Sequence, residues 1–138
     1  MKLVNVHKCK DAETILYELL KERSSEEDRF VNIRHRALPP WRDHVRFVRS
    51  RPYRAWYLVF VEGECVGYVS LTRDDEVGII LFRAHRGKGY GPAAVRALMK
   101  KHPRPSYTAN INPRNERSIR MFAKLGFAPL QNTYELHA

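Results

Sequence analysis

The chain has 138 residues, 25 Lys+Arg against 15 Asp+Glu, a formal net charge of +10 and 43% apolar residues. That is enough chain for one domain with its own core, and seven Tyr, six Phe and two Trp exclude an intrinsically disordered polymer. The longest uninterrupted apolar run, Ala55 to Val61, excludes a membrane-spanning helix, which needs about 20 apolar residues.

Met1 to Asp11 lacks a continuous hydrophobic segment and a small-residue cleavage site, so no secretory signal is expected and a cytoplasmic address follows by default. Leu3 to Val6 reads as a short first strand. Asp11 can cap a helix with Ala12, Ile15, Leu16, Leu19 and Leu20 on one face, and the polar run Ser24 to Asp28 ends it. A second helix starts at Pro39 or Pro40, where proline fits a first turn, and its apolar face is Trp41, Val45 and Val48 with Phe47 beside it. Ala55 to Val61 and Cys65 to Leu71 are β-rich runs joined by Glu62, Gly63 and Glu64, a hairpin signal. A third strand of this group, Val77 to Phe82, follows the turn at Arg73 to Asp75. A glycine-rich loop then leads into a helix with Pro92 in its first turn and Ala94, Val95, Leu98 and Met99 buried. Tyr107 to Ile111 reads as a strand and Pro113 to Leu125 as a helix with Ile119, Phe122 and Leu125 inward, stopped by Gly126. Short strands around Phe127 to Leu130 and Thr133 to Leu136 close the chain. This order predicts an α/β (strictly α+β) single domain, a mixed sheet with helices on its faces.

Cys9 and Cys65 have no C-x-x-C or Cys/His spacing, so reduced thiols and no metal site are expected. The segment carrying the most chemistry is Arg86-Gly87-Lys88-Gly89-Tyr90-Gly91, directly between a strand and a helix. Three glycines let backbone N–H groups turn toward one point, and the helix start adds unsatisfied donors and partial positive charge, which suits a pyrophosphate. The loop matches neither the Walker pattern nor G-x-G-x-x-G.

Arg86-x-x-Gly89-x-Gly91 resembles the R/Q-x-x-G-x-G/A loop of the GNAT superfamily of acetyl-CoA-dependent N-acetyltransferases. Downstream, Asn112-Pro113-Arg114-Asn115-Glu116-Arg117-Ser118 through Phe122, followed by Leu125-Gly126-Phe127, is similar to that family's N-x-x-S-x-x-x-Y…L/K-G-F segment. Together with the preceding strands, the resemblance covers most of the chain from Ala55 onward. It implies a twisted, mostly antiparallel sheet with helices on both faces. It also implies acetyl-CoA as co-substrate without a metal, and a cofactor site between two strands that splay apart. Backbone groups of Ile79, Ile80 and Leu81 would pair with pantetheine like an added strand. The stretch Gly87, Lys88, Gly89, Tyr90, Gly91 and Pro92, with Arg86 before it, would hold the pyrophosphate, and Asn115 and Ser118 would contact the pantetheine arm. In the bare sequence, Asn115 and Ser118 read equally as first-turn helix polarity.

Acetyl transfer to an amine needs a neutral nucleophile, oxyanion stabilisation and a proton for the leaving thiolate. A backbone N–H near Leu81 is the oxyanion donor the resemblance implies. Glu76 stands where the family often places a carboxylate that takes the amine proton through water, with Asp75 one residue away; the same acids also read as a solvated turn. The family's general-acid tyrosine position holds Phe122, which has no proton to give, so Tyr134, Tyr107 or water is left to serve the thiolate, or catalysis has been lost.

Arg34, Arg36, Arg42, Arg46, Arg49, Arg51 and Arg54 face a single acid, Asp43. The segment containing Arg34, His35, Trp41 and His44 resembles GNAT enzymes that acetylate nucleotide-linked amino sugars, and more loosely those acting on protein N-termini. Arg34 and His44 are therefore the expected acceptor-binding residues, for a small or nucleotide-linked amine such as an amino sugar, or for a protein or acidic-peptide amine. A basic nucleic-acid-binding module and a CoA-sensing module without catalysis are the alternatives of another class. A monomer or a homodimer without a membrane partner is expected.

Overall fold

Alternation from Ala55 to Val61 sends successive side chains to opposite faces of one strand, and that strand lies between two cores. The computed structural model describes residues 1–33 and 36–138. Ala55–Val61 (β2) buries Ala55 and Val59 on one face and Trp56 and Leu58 on the other. It pairs antiparallel with Lys2–Asn5 (β1) and with Glu64–Leu71 (β3), and β3 pairs antiparallel with Val77–Leu81 (β4). The sheet order is β1-β2-β3-β4. Glu62 and Gly63 both have positive φ, 50° and 79°, the geometry a two-residue hairpin turn needs to match strand twist.

One sheet face is covered by Ala12–Arg23 (α1) and Trp41–Arg49 (α2), whose Leu16, Leu19 and Val48 pack with Trp56, Leu58 and Tyr68. The opposite face is covered by Tyr90–Lys101 (α3) and Glu116–Lys124 (α4), whose Ala94, Val95, Leu98 and Phe122 pack with Val59, Val69, Leu71 and Val77. Among the described residues no helix is long and apolar enough to cross a membrane.

The register between β2 and β3 shifts at Val59/Phe60, so Val66 is the extra residue of a bulge and turns into the core shared with α3. Beside it, a Cβ on Gly67 would lie 2.1 Å from the Ile80 carbonyl oxygen and 2.8 Å from Leu81 Cα. Only glycine lets β4 approach β3 this closely. Gly67→Ala is expected to push β4 outward and lower stability by about 1–3 kcal/mol, read as a shift in urea midpoint at unchanged m-value.

Several expectations need correction. Residues 127–138 form no strand: Leu130, Tyr134 and Leu136 are exposed, so the segment buries too little to offset the entropy of ordering it. Residues 107–111 touch the sheet through one parallel bridge, Glu76 to Thr108, rather than as a full strand. α4 begins at Glu116, not Pro113, because Asn112 first closes a turn, accepting from Arg114 N at 2.9 Å through its side chain and from Asn115 N at 2.8 Å through its carbonyl. Ile119 is 41% exposed and Trp41 45% exposed, so neither belongs to an inward face. Trp41 instead packs edge-on against Tyr17 at 5.1 Å, and the position facing the core from α2 is His44.

Candidate functional site

The site begins where β4 loses its outer neighbour. Val77 N donates to Thr108 O at 2.8 Å and Thr108 N to Asp75 O at 3.1 Å, and the ladder stops there. On the other side, Phe82 N donates to Val66 O of β3 at 2.9 Å. Because successive backbone groups alternate sides of a strand, Ile79 and Leu81 share Val77's outer edge while Ile80 faces β3, opposite Tyr68. Of the three residues expected to pair with a cofactor, the backbone groups of Ile79 and Leu81 stand at the open edge and Ile80 contributes its side chain.

The divergence of β4 from residues 109–111 opens a cleft of about 200 Å³. Its lining includes Glu76, Gly78 and Ile80 from β4, Tyr68 and Ser70 from β3, and Phe122 from α4. Gly78 keeps the floor open: a Cβ there would lie 2.6 Å from Ser70 Oγ. Glu76 is half-buried, and its N–H donates to Thr72 Oγ1 at 3.0 Å, which fixes the start of β4.

The glycine loop lies just past the end of β4. Gly87 and Gly89 have φ of 78° and 83°, and nothing stands within 4 Å of where their Cβ atoms would be. Gly89 caps α3 without a side chain, so the first N–H groups of that helix have neither an i−4 partner nor a side-chain cap. Gly91 serves packing instead: its Cβ would meet Met121 Sδ at 2.9 Å, so glycine lets α3 and α4 approach. Lys88 is exposed at the loop, while Tyr90 and Pro92 are half-buried. The loop thus offers unobstructed backbone at two glycines directly before a helix N-terminus.

Arg86 anchors the loop. Its guanidinium makes a two-pronged pair with Asp28, Nη1 to Oδ1 at 3.1 Å and Nη2 to Oδ2 at 2.9 Å, with Arg86 13% and Asp28 3% exposed. Arg83 joins through Nη2 to Asp28 at 3.3 Å and Nη1 to Glu27 at 3.3 Å, and its backbone N–H donates to Glu22. Burial alone would raise the Asp28 pKa, but the hydrogen bonds and charges of Arg86 and Arg83 outweigh it and hold the carboxyl below its ordinary value. Glu22 at the end of α1 and the short turn Glu26–Asp28 after it thereby clamp the loop.

On α4, Asn115 Oδ1 accepts from Ser118 N at 3.3 Å, the cap the residue type favours, and both residues also line the cleft. Phe122 is 4% exposed and packs against Phe127 at 5.0 Å, with no proton to offer. Tyr134 is 90% exposed in the tail and is not brought to Glu76. Tyr107 OH is committed to the end of α3, donating to His102 O at 2.7 Å and accepting from Arg104 N at 2.9 Å. Asp75 is tied up by Arg104 at 2.9 Å and Arg54 at 3.7 Å.

Of the two acceptor-binding expectations, Arg34 lies outside the described residues. His44 is 3% exposed between α1 and α2, its Nε2 2.7 Å from Glu13 O, and takes no part in the cleft. Arg42, Arg46 and Arg49 are exposed on the outer side of α2.

Sequence reading missed Arg23, Tyr53 and Tyr68, which line the cleft from α1, the loop before β2, and β3. Their sequence signal was weak: Arg23 ends a charged last turn, Tyr53 stands in a basic loop, and Tyr68 is a hydroxyl-bearing aromatic in an apolar strand. The Tyr53 pKa is pushed up to about 12, by burial first and by the neighbouring Tyr68 hydroxyl next. Arg117 was also missed: partial desolvation, then the nearby charges of Arg86 and Arg120, lower its pKa, which places a further cation near the loop. Among the described residues no cluster of His, Cys, Asp and Glu could hold a metal.

The sequence profile of the acetyltransferase (GNAT) family matches residues 14–127. No curated protein sequence gives a significant match. Among solved structures, a domain from Methanocaldococcus jannaschii DSM 2661 superposes with a TM-score of 0.77 at 20% identity, covering 97% of this chain and 92% of that one. Ribosomal-protein-alanine N-acetyltransferase from Brucella melitensis gives 0.72 at 17% identity, over 91% and 83% of the two chains. Aminoglycoside acetyltransferase AAC(6')-Ib in complex with coenzyme A gives 0.65 at 24% identity, over 92% and 82%.

Proposed function

The chain belongs to the GNAT acetyltransferase family, and from that membership we propose that it moves an acetyl group directly from acetyl-CoA to the primary amine of a small acceptor, both held where β4 parts from residues 107–111. It is an acyl-CoA-dependent N-acetyltransferase with acetyl-CoA as co-substrate. The observation that carries the site assignment is the single Glu76–Thr108 bridge, which leaves the outer edge of β4 open next to a glycine cradle.

Acetyl-CoA supplies the acetyl group as a thioester. Ile79 and Leu81 offer backbone groups to its pantetheine arm as an added strand would, Asn115 and Ser118 flank that arm, and Leu81 N–H is the donor for charge developing on the carbonyl oxygen. N–H groups from Gly87 to Gly91 face the pyrophosphate, with Lys88 and Arg117 as nearby cations. The amine nitrogen bonds to the acetyl carbon as the C–S bond breaks. Two protons leave the ammonium nitrogen overall: one reaches solvent through water and Glu76, and the other ends on sulfur. Water completes the thiol.

The cleft is below the range of about 300–1,000 Å³ usual for drug-sized ligands, which supports a small amine over a nucleotide-linked amino sugar or peptide held wholly inside it. Gly89→Trp tests the donor site. Its indole would fill the open space above the loop, so acetyl-CoA affinity is expected to fall at least about 100-fold, while melting stays close to that of Gly89→Ala, which shares the positive-φ strain of about 1–2 kcal/mol. Unchanged affinity in the tryptophan variant would remove the loop from the cofactor site.

A further inference from the structure

Arg23 is the last residue of α1, and its guanidinium is built into the cleft wall. Nε donates to Asn32 Oδ1 at 2.8 Å and Nη1 to Tyr68 OH at 3.1 Å. Asn32 is held in turn, its Nδ2 donating to Arg23 O at 2.8 Å and its carbonyl accepting from Asn112 Nδ2 at 2.9 Å. The nearby acids are engaged elsewhere: Glu22, Glu27 and Asp28 serve Arg83 or Arg86, and Glu26 stands 3.6 Å from Arg29. Arg23 therefore has neutral partners and no ion pair among the described residues, and two of the five N–H donors of a guanidinium are engaged. A half-buried, pre-positioned cation without a counterion is costly unless a ligand brings one. The same cleft contains the Glu76 carboxylate, also outside any ion pair among the described residues.

We propose that the acceptor is an amino acid or a close amino-carboxylate, its carboxylate bound by Arg23 and its amine directed toward Glu76. This rests on the transferase reading above and names the substrate class for it. A planar guanidinium with free donors matches a carboxylate's two oxygens, and Tyr53 and Tyr68 supply apolar walls and hydroxyls around the small remainder. A cleft of about 200 Å³ that also receives the pantetheine arm leaves room only for a small acceptor, and the net charge of +10 draws an anionic group toward the protein.

The test is a competition on the intact protein with acetyl-CoA, offering a mixture of the common L-α-amino acids together with their carboxamides and counting N-acetylated products of each kind by mass spectrometry. Acetylated carboxylates are expected to exceed acetylated carboxamides by about 10-fold or more, the worth of a charge-assisted hydrogen-bonded contact. For the best amino acid, Arg23→Gln is expected to raise KM by about 10–100-fold with kcat little changed, and to raise KM for its carboxamide by a clearly smaller factor. Arg23→Lys, which keeps the charge but loses the fork, should fall between. Equal or preferential transfer to carboxamides, transfer to neither kind while acetyl-CoA still binds, or an Arg23→Gln loss equal for both kinds overturns the proposal and leaves the transferase reading intact. Failure of the wild-type protein to bind acetyl-CoA overturns that reading as well.

Discussion

Glu76→Gln is expected to lower kcat/KM for amine acetylation by about 10²–10⁴-fold while acetyl-CoA affinity stays unchanged, because a general base contributes on that scale and the carboxamide keeps size and polarity. The carboxylate stands at the cleft rather than at the glycine loop, so donor binding does not depend on it. The variant should recover part of the lost rate as pH rises, since a larger share of the amine is then already neutral, whereas wild type loses that advantage. A parallel assay with acceptors of falling amine pKa reads the same effect: the deficit shrinks as the amine needs less help to deprotonate. An unchanged rate would assign the proton to bulk water alone.

Asp28→Asn is expected to destabilise the fold by about 3 kcal/mol, roughly 10 °C in melting temperature, and to weaken acetyl-CoA binding through the loop it anchors. Removing one partner of a buried pair costs about 3–5 kcal/mol; the low end applies because Arg83, 38% exposed, can turn its charge to solvent, whereas Arg86 cannot do so as readily. The pH dependence has a definite sign. Asp28's folded pKa is depressed, so its contribution is fully present above the unfolded carboxyl value of about 3.9 and is lost as pH falls through the lower folded value. Acid unfolding of wild type should therefore include a step that the Asn variant lacks. Equal stability of the two proteins at neutral pH would show that the Asp28 contacts do not anchor the loop.

Local chemistry made most of the framework readable. The β-rich apolar runs of β2 and β3, the glycine turn between them and the loop before α3 needed no distant contact to interpret, and the glycine-rich and N-x-x-S segments pointed to the family. What depended on tertiary contact stayed hidden. Asp28 looked like part of a polar run ending α1, yet its partner Arg86 is 58 residues away, and the pair buries both groups. The cleft wall assembles Arg23, Tyr53 and Tyr68 from three separate elements, and no spacing in the chain announces that meeting. His44 shows the opposite failure: its neighbourhood resembled an acceptor site, but helix packing between α1 and α2 claimed the ring. The tail carried β-favouring residues, Thr133 to Leu136 among them, without a sheet edge to receive them, so propensity alone made no strand.

The central claim is that the open edge of β4 and the glycine cradle form one acyl-donor site. Calorimetric titration of the protein with acetyl-CoA and with CoA, each at low and high salt, tests it most directly. One site per chain, binding in the micromolar range and surviving at high salt, is the predicted result, because backbone pairing along Ile79 and Leu81 is not screened. Binding that vanishes with salt, or no binding, would contradict it, leaving only a basic surface that attracts polyanions.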